Sequence, residues 1–373
     1  MTLEEKYSQA VNIQSEFSQK SILFIGTESY DAPSITVLQG LDTLGFDIYT
    51  IKKSNINSWF CDEVIEDPTG YTFDFVLSSF HWGTRWSYYD QYDLESYPWI
   101  LIDGDDNPGL GTIWRDKYEH YRQNVYKFDP PKDIKDKELM PYRWVEPLYD
   151  YDPDMVFTSQ KQFEDETSHY IPFGIHRQYS KFADDLTIAN RTINLTHIPG
   201  PGVLRKRMQR LIKSLQFLHI LPEEVHNEEV RGEAWCPNEI EVYVQEDENI
   251  HSYHRWKVYE KYFKTLNNSK VIVYPGIDSW PFWDSKRPWE ALSCGCYLLM
   301  RKPNIDVSEY PVTELDKDAV YDSYTEFIRK YRYLSRNPYE LEKRRSRMSE
   351  RAQKYFSPTA IARYFLWTIQ NNL

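Results

Sequence analysis

VIVYPGIDSWPFWDSKRPWEALSCGCYLLM, residues 271–300, carries the pattern of a strand, a loop, a short helix and a second strand. Val271–Tyr274 is a β-branched apolar run of the kind that is buried in a parallel sheet. An aromatic and polar loop follows, with Asp278, Trp280, Trp283 and Asp284. Asp284 or Ser285 can cap a helix, and Pro288 is tolerated in its first turn. That helix carries Glu290 and stops at Gly295, after which Tyr297–Met300 reads as the next strand. Such a unit belongs to an α/β sheet, and its loop opens at the carboxyl end of a strand, where ligands sit in open α/β sheets. The helix start offers free N–H groups and a positive dipole end to a phosphate, and Lys286 and Arg287 add two cations. Glu290, one turn in, can accept hydrogen bonds from ribose hydroxyls. The same residues have a structural reading: Glu290 complements its own helix dipole, worth about 0.3–1 kcal/mol, and the two cations are a solvated face. The residues alone leave both readings open.

RPWEALSCGCYLL, residues 287–299, resembles the nucleotide-sugar motif of the B-fold (GT-B) glycosyltransferases, especially their group-1 and spore-maturation-type branches. In that motif a basic residue, an aromatic and a Glu precede small residues and a strand. The resemblance implies an α/β protein of GT-B fold. Two Rossmann-like, doubly wound parallel-sheet domains would face a central cleft, with a C-terminal helix crossing back. It also implies that Glu290 holds the ribose. In the group-1 pattern a first Glu stands eight positions earlier, where this chain has Phe282, with Asp278 and Asp284 out of register. The usual residue beside the sugar is therefore missing, and retention or inversion of configuration is left open.

Length and composition allow this architecture. A chain of 373 residues suffices for two domains of ordinary size. Apolar content of 41% supports packed cores, and 30 Tyr, 18 Phe and 12 Trp are available to fill them. The net charge of −13 argues against a nucleic-acid sleeve, which would carry a basic stripe, and against a basic membrane anchor. Four cysteines are too few for a disulfide scaffold. Cys294-Gly-Cys296 has no second Cys/His pair at zinc spacing and reads as small buried residues at a helix–strand junction. The polar start MTLEEKYSQAVNIQSEFSQK is no signal peptide, and no apolar run is long enough to span a membrane, so the expected location is cytoplasmic.

Ser21–Gly26, Phe46–Ile51, Phe73–Ser78, Trp99–Asp103, Asn124–Phe128 and Asp154–Ser159 read as strands of a first domain, the last of them near its edge. Residues 27–34 lack a G-x-G-x-x-G fingerprint, which counts against a nicotinamide or flavin enzyme. Ser78, Ser79 and His81 follow one strand, and Asp103, Asp105 and Asp106 follow another, an address that makes them cleft candidates. His81 is equally a loop histidine, and the aspartates equally cap helices and form turns. An acceptor hydroxyl needs a base, and these are the groups on this half of the chain best placed to supply one. By resemblance, the first loop, with Thr27, Glu28 and Ser29, faces the acceptor side of the cleft. Tyr170–His176 resembles the passage between domains, with His176 replacing the usual Asp.

After the hinge, Ile193–Ile198 reads as a strand. Pro199-Gly200-Pro201-Gly202 then leads into a helix holding Arg205, Lys206, Arg207 and Arg210. A glycine-bearing loop before a basic helix is again a phosphate-binding arrangement. It resembles the first loop of the nucleotide domain in this superfamily, and Arg205, nearest the helix start, is the cation expected to meet the pyrophosphate. Lys206 and Arg210 fit a solvated face. Asp318–Leu334, Pro338–Tyr355 and Pro358–Leu373 read as the closing helices. The expected division is an acceptor domain over 1–176, a nucleotide-sugar domain over 177–355 and a terminal helix over 356–373 packing back on the first domain.

The function these readings imply is glycosyl transfer from a nucleotide-diphosphate sugar to an acceptor hydroxyl of a glycan, glycoconjugate or small molecule. Gly200, Gly202, Arg205, Asp284, Lys286, Arg287 and Glu290 would bind the donor. His81, Asp103, Asp105 or Asp106 would serve catalysis. The resemblance implies no metal and no cofactor, because helix dipoles and cations neutralise the leaving group. A nucleotide-sugar epimerase, or a non-catalytic scaffold of this fold binding a glycan or a protein, uses the same features. Transfer to modified DNA bases also occurs on this fold, but the charge of −13 disfavours it.

Overall fold

A computed structural model describes residues 21–25, 32–51, 63–80, 94–103, 153–159, 168–175, 190–198, 203–221, 224–227, 260–276, 286–302 and 311–373, with isolated residues between them. Two wholly parallel sheets organise them, each in its own compact unit. The first unit is made chiefly of Asn12–Pro172 and Ala362–Leu373, the second chiefly of Phe173–Val244 and Tyr253–Ile361.

In the first unit, β1 (Ser21–Ile25), β2 (Asp47–Thr50), β3 (Glu63–Val64), β4 (Phe75–Phe80), β5 (Trp99–Asp103), β6 (Met155–Thr158) and β7 (Ser168–Tyr170) form one sheet in the order 3-2-1-4-5-6-7. Continuous apolar runs such as SILFI are buried along their whole length, as strands covered on both faces must be. Helix α1 (Ala32–Thr43) connects β1 to β2 and ends at Gly45. Gly45 has φ +80°, a left-handed conformation that glycine adopts without a Cβ clash, while Phe46 N–H returns to Leu41 O at 3.1 Å. Asp154 accepts the Trp99 backbone N–H at 2.7 Å, and the Trp99 indole donates to Ser78 Oγ at 3.0 Å, tying the neighbouring strands together. The sheet order reverses between β1 and β4, which is the switch point of a doubly wound sheet.

One expectation for this unit is corrected. The strand at Met155–Thr158 is not the edge: β7 pairs outside it, with Thr158 beside Tyr170. A three-residue strand has no period of its own, and this one is defined by its partner. The strand expected at Asn124–Phe128 lies outside the described residues.

In the second unit, β8 (Leu195–Thr196), β9 (Val225–His226), β10 (Val271–Tyr274), β11 (Tyr297–Arg301) and β12 (Val320–Tyr321) form a parallel sheet in the order 12-11-10-8-9. Helix α2 (Val203–Phe217) follows β8, α3 (Glu260–Asn267) precedes β10, and α4 (Lys286–Ser293) joins β10 to β11. Here the order reverses between β8 and β10, so α2 and α4 are the helices that follow the two strands flanking the switch point. Trp289 of α4 is fully buried and meets Phe356 edge-on at 5.2 Å between ring centroids. Arg191, 3% exposed, has no carboxylate partner among the described residues; it donates to Ser269 O at 2.6 Å and Cys294 O at 2.7 Å. Cys294 and Cys296 are buried thiols outside any disulfide, and burial pushes both up, so they pack as neutral groups.

The helix expected over Asp318–Leu334 is a further correction. Lys317–Ala319 is a single 3-10 turn, Val320–Tyr321 is β12, and only Tyr324–Arg336 forms a helix, α6, after the short α5 (Pro311–Leu315). The chain breaks there because Val320 pairs with Met300 of β11. Helix α6 then starts afresh at Ser323, whose side chain accepts Glu326 N–H at 3.2 Å, while the Glu326 carboxylate accepts Asp322 N–H at 2.8 Å. Two helices close the chain, α7 (Pro338–Phe356) and α8 (Pro358–Asn372). On α8, Phe365 packs against Phe157 of β6 at 4.6 Å and Phe75 of β4 at 5.9 Å between centroids. Among the described residues no helix is long and apolar enough to cross a membrane.

Candidate functional site

Within the second unit, the carboxyl ends of β8 and β10 and the starts of α2 and α4 enclose a recess of about 300 Å³, counting space continuous with solvent. Arg205, Arg287, Tyr262, Tyr274, Ile198 and Pro275 are among the residues lining it. Arg205 arrives in the first turn of α2, where the period that buries Leu204 and Met208 leaves Lys206, Arg207 and Arg210 exposed. Arg287 arrives in the first turn of α4 and is fixed by donating to Ile198 O at 2.8 Å.

Both arginines face the same recess, and neither is ion-paired with a carboxylate among the described residues. Burial, and next the charge of Arg287, make the Arg205 guanidinium a weaker base than usual, and a hydrogen bond to the Tyr274 hydroxyl opposes that. Two guanidinium groups held near each other at a helix-lined switch point are an unpaired positive charge that an anion would neutralise.

Glu290 lies one turn inside α4 and is only 6% exposed. Its Oε2 accepts the Tyr262 hydroxyl at 2.6 Å. Burial, and then the neighbouring carboxylate charge, hold the Tyr262 phenol well above its usual range, so it stays a hydrogen-bond donor. The arrangement presents two guanidinium groups and a buried carboxylate together, the donor and acceptor chemistry of a phosphate joined to a polyhydroxyl group.

His197 follows β8 directly and is wholly buried. Its Nδ1 lies 2.9 Å from Asn227 Oδ1, and the Asn227 amide donates to Gln209 O at 3.0 Å. Burial, opposed in part by the Asn227 hydrogen bond and reinforced by the charges of Arg287, Arg205 and His226, lowers the imidazole to about 4. His197 is therefore neutral at physiological pH.

The structure thus brings together three residues expected from the sequence: Arg205, Arg287 and Glu290. Lys286 opens α4 beside them, placed by its backbone. Gly200, Gly202 and Asp284 lie outside the described residues. In the first unit Asp103 ends β5 next to Phe80 of β4, whereas Thr27, Glu28, Ser29, His81, Asp105 and Asp106 lie outside the described residues. Sequence reasoning missed Tyr262, His197 and Asn227. The first is one of 30 tyrosines with no motif around it, and the other two follow strands of two residues. Among the described residues no three His, Cys, Asp or Glu side chains are grouped to hold a metal ion.

Known structures place this architecture. HepE of Anabaena, crystallised in complex with UDP-glucose, superposes with a TM-score of 0.51 at 10% identity, over 94% of this chain and 99% of that one. A glycosyltransferase from Rickettsia africae gives 0.50 at 9% identity, over 95% and 99% of the two chains. At such identities the likeness is one of fold, and the fold is that of the GT-B glycosyltransferases. Residues 205–366 match a family model described as glycosyl transferase-like, so the part of the chain that builds most of the recess is a glycosyl transferase-like domain. The chain thus has the fold of these enzymes and, over residues 205–366, a glycosyl transferase-like domain. Comparison with curated protein sequences returns no match.

Proposed function

We propose that the protein moves a sugar from a nucleotide-diphosphate sugar to an acceptor hydroxyl, with the donor held in the recess of the second unit. The observation that carries this reading is the pair of arginines without carboxylate partners among the described residues, Arg205 and Arg287, facing one recess beside the buried Glu290. The donor diphosphate would lie against the starts of α2 and α4, with Lys286 and the loop carrying Gly200 and Gly202 adding contacts and Asp284 ahead of α4. Glu290, oriented by Tyr262, would accept hydrogen bonds from the ribose hydroxyls. Charge developing on the departing diphosphate would be met by fixed cations and helix N-termini already in place, electrostatic catalysis that needs no reorganisation. The UDP-glucose in HepE supports the same class of donor.

The first unit is assigned to the acceptor. Thr27, Glu28 and Ser29 would line that side, and His81, Asp103, Asp105 or Asp106 would supply the base that takes the hydroxyl proton. No resident cofactor enters this scheme, and the site of action is cytoplasmic.

Thermal unfolding against nucleoside diphosphates and their sugars tests the donor site. Binding to the native state alone stabilises it by about 2.7 kcal/mol at a hundred times the dissociation constant. A rise in midpoint with one nucleotide sugar, lost in Glu290→Ala, is the expected result. No rise with any nucleotide would sink the reading.

A further inference from the structure

Arg205, which lines the recess, and His197, next in the chain to Ile198 of its lining, each have a buried polar atom without a hydrogen-bond partner among the described residues: the Nε of Arg205 and the Nε2 of His197. A buried polar atom left unsatisfied is costly and calls for an explanation, commonly a missing ligand. The two atoms make different demands. Arg205 Nε carries a hydrogen and needs an acceptor. The state of His197 Nε2 follows from its neighbours: the Asn227 amide nitrogen donates to Gln209 O, which turns Asn227 Oδ1 toward the ring, so Nδ1 carries the single proton of the neutral imidazole. Nε2 is then a bare lone pair.

An ionised diphosphate offers only acceptors. It satisfies Arg205 directly, but it can satisfy His197 Nε2 only if a proton arrives with it. We propose that His197 is a further ligand of the donor diphosphate, taking up one proton at Nε2 when the diphosphate binds and donating it as a hydrogen bond to a phosphate oxygen. The proton comes from solvent and no covalent bond to the ligand is made. The inference rests on the donor-site reading above and adds a residue and a proton to it.

The electrostatics of the pocket agree. The groups that face the ring are Arg205 from α2, Arg287 from α4, and His226 with Asn227 from β9 and the residue after it; all the charged ones oppose protonation in the free protein. A bound diphosphate places negative charge among the same groups and reverses that balance. The departing nucleoside diphosphate has one more acidic oxygen than the sugar-bound donor, so an imidazolium matches the leaving group better than it matches the substrate.

The test uses UDP-, GDP-, ADP- and dTDP-glucose as probes, because their diphosphates are fully esterified and do not titrate between pH 5 and 8. Calorimetry of the full chain at pH 6.5 in two buffers of different ionisation enthalpy reads the protons taken up. With the probe that binds, about 0.3–1 proton per site is expected, and affinity should rise roughly three- to tenfold per unit between pH 7.5 and 5.5. His197→Gln, whose amide can donate without a proton, should keep binding while losing both the uptake and the pH slope. Binding with no proton uptake and a flat pH profile overturns the inference alone, as does a slope that survives in His197→Gln. If none of the four probes binds at any pH, the inference falls together with the donor-site reading. Should His197→Gln fail to fold by circular dichroism, the wild-type proton count decides.

Discussion

Apart from its hydrogen bond to the Tyr274 hydroxyl, Arg205 has little to contribute to the stability of the free protein. It is largely buried, it lies near a second guanidinium, and its Nε has no partner among the described residues. Arg205→Met should therefore leave the unfolding midpoint of the free chain unchanged or raised. The same substitution should weaken donor binding about ten- to a hundredfold, the worth of one charge-assisted hydrogen bond, read by calorimetry. His197 gives a prediction about stability in the absence of ligand. Its imidazole titrates at about 4 in the fold and near 6.5 when unfolded, so the unfolded chain binds the proton first. The contribution of the neutral ring is present in full above pH 6.5 and is lost as pH falls from there through 4, by about 3 kcal/mol in total. Urea unfolding between pH 4 and 7 should show that loss, reduced in His197→Gln.

Among the elements, those with a pattern of their own were legible in the sequence. SILFI, WILID and VIVY announce β1, β5 and β10 because strands covered on both faces need uninterrupted apolar runs. Helix starts were legible for the same local reasons, which is how Arg205, Arg287 and Glu290 were found. Strands β3, β9 and β12, of two residues each, were not legible, nor was the three-residue β7, since backbone pairing with a neighbour defines them. Asn227 follows one such strand, β9, while His197 follows β8, and the bond between them joins residues that no local pattern relates. Tyr262 was visible only as one aromatic among several, and its role depends on Glu290, far along the chain. The break before α6 was in fact signalled: Ser323 and Glu326 have capping-box spacing that the charged run around them obscures. Ser323→Ala should cost about 1 kcal/mol in urea unfolding, as the loss of an N-cap does.

For the molecule as a whole, the reading of two doubly wound parallel sheets holds. At 9–11% identity to HepE and the Rickettsia enzyme, what is shared is the fold. The first sheet also depends on the last helix of the chain. Phe365 of α8 is fully buried against Phe157 and Phe75. Phe365→Ala should cost about 3–5 kcal/mol, seen as a lowered midpoint in calorimetry.

That dependence shapes the birth of the protein on the ribosome. Strands β4 and β6 leave the exit tunnel long before α8 is translated. Phe365 follows Phe157 by about 200 residues, roughly 10–40 s of synthesis at 5–20 residues per second. Throughout that interval the apolar face that Phe365 will cover is open on a nascent chain, where chaperones and neighbouring polysomes compete for it. The first half to be made is therefore among the last to be finished.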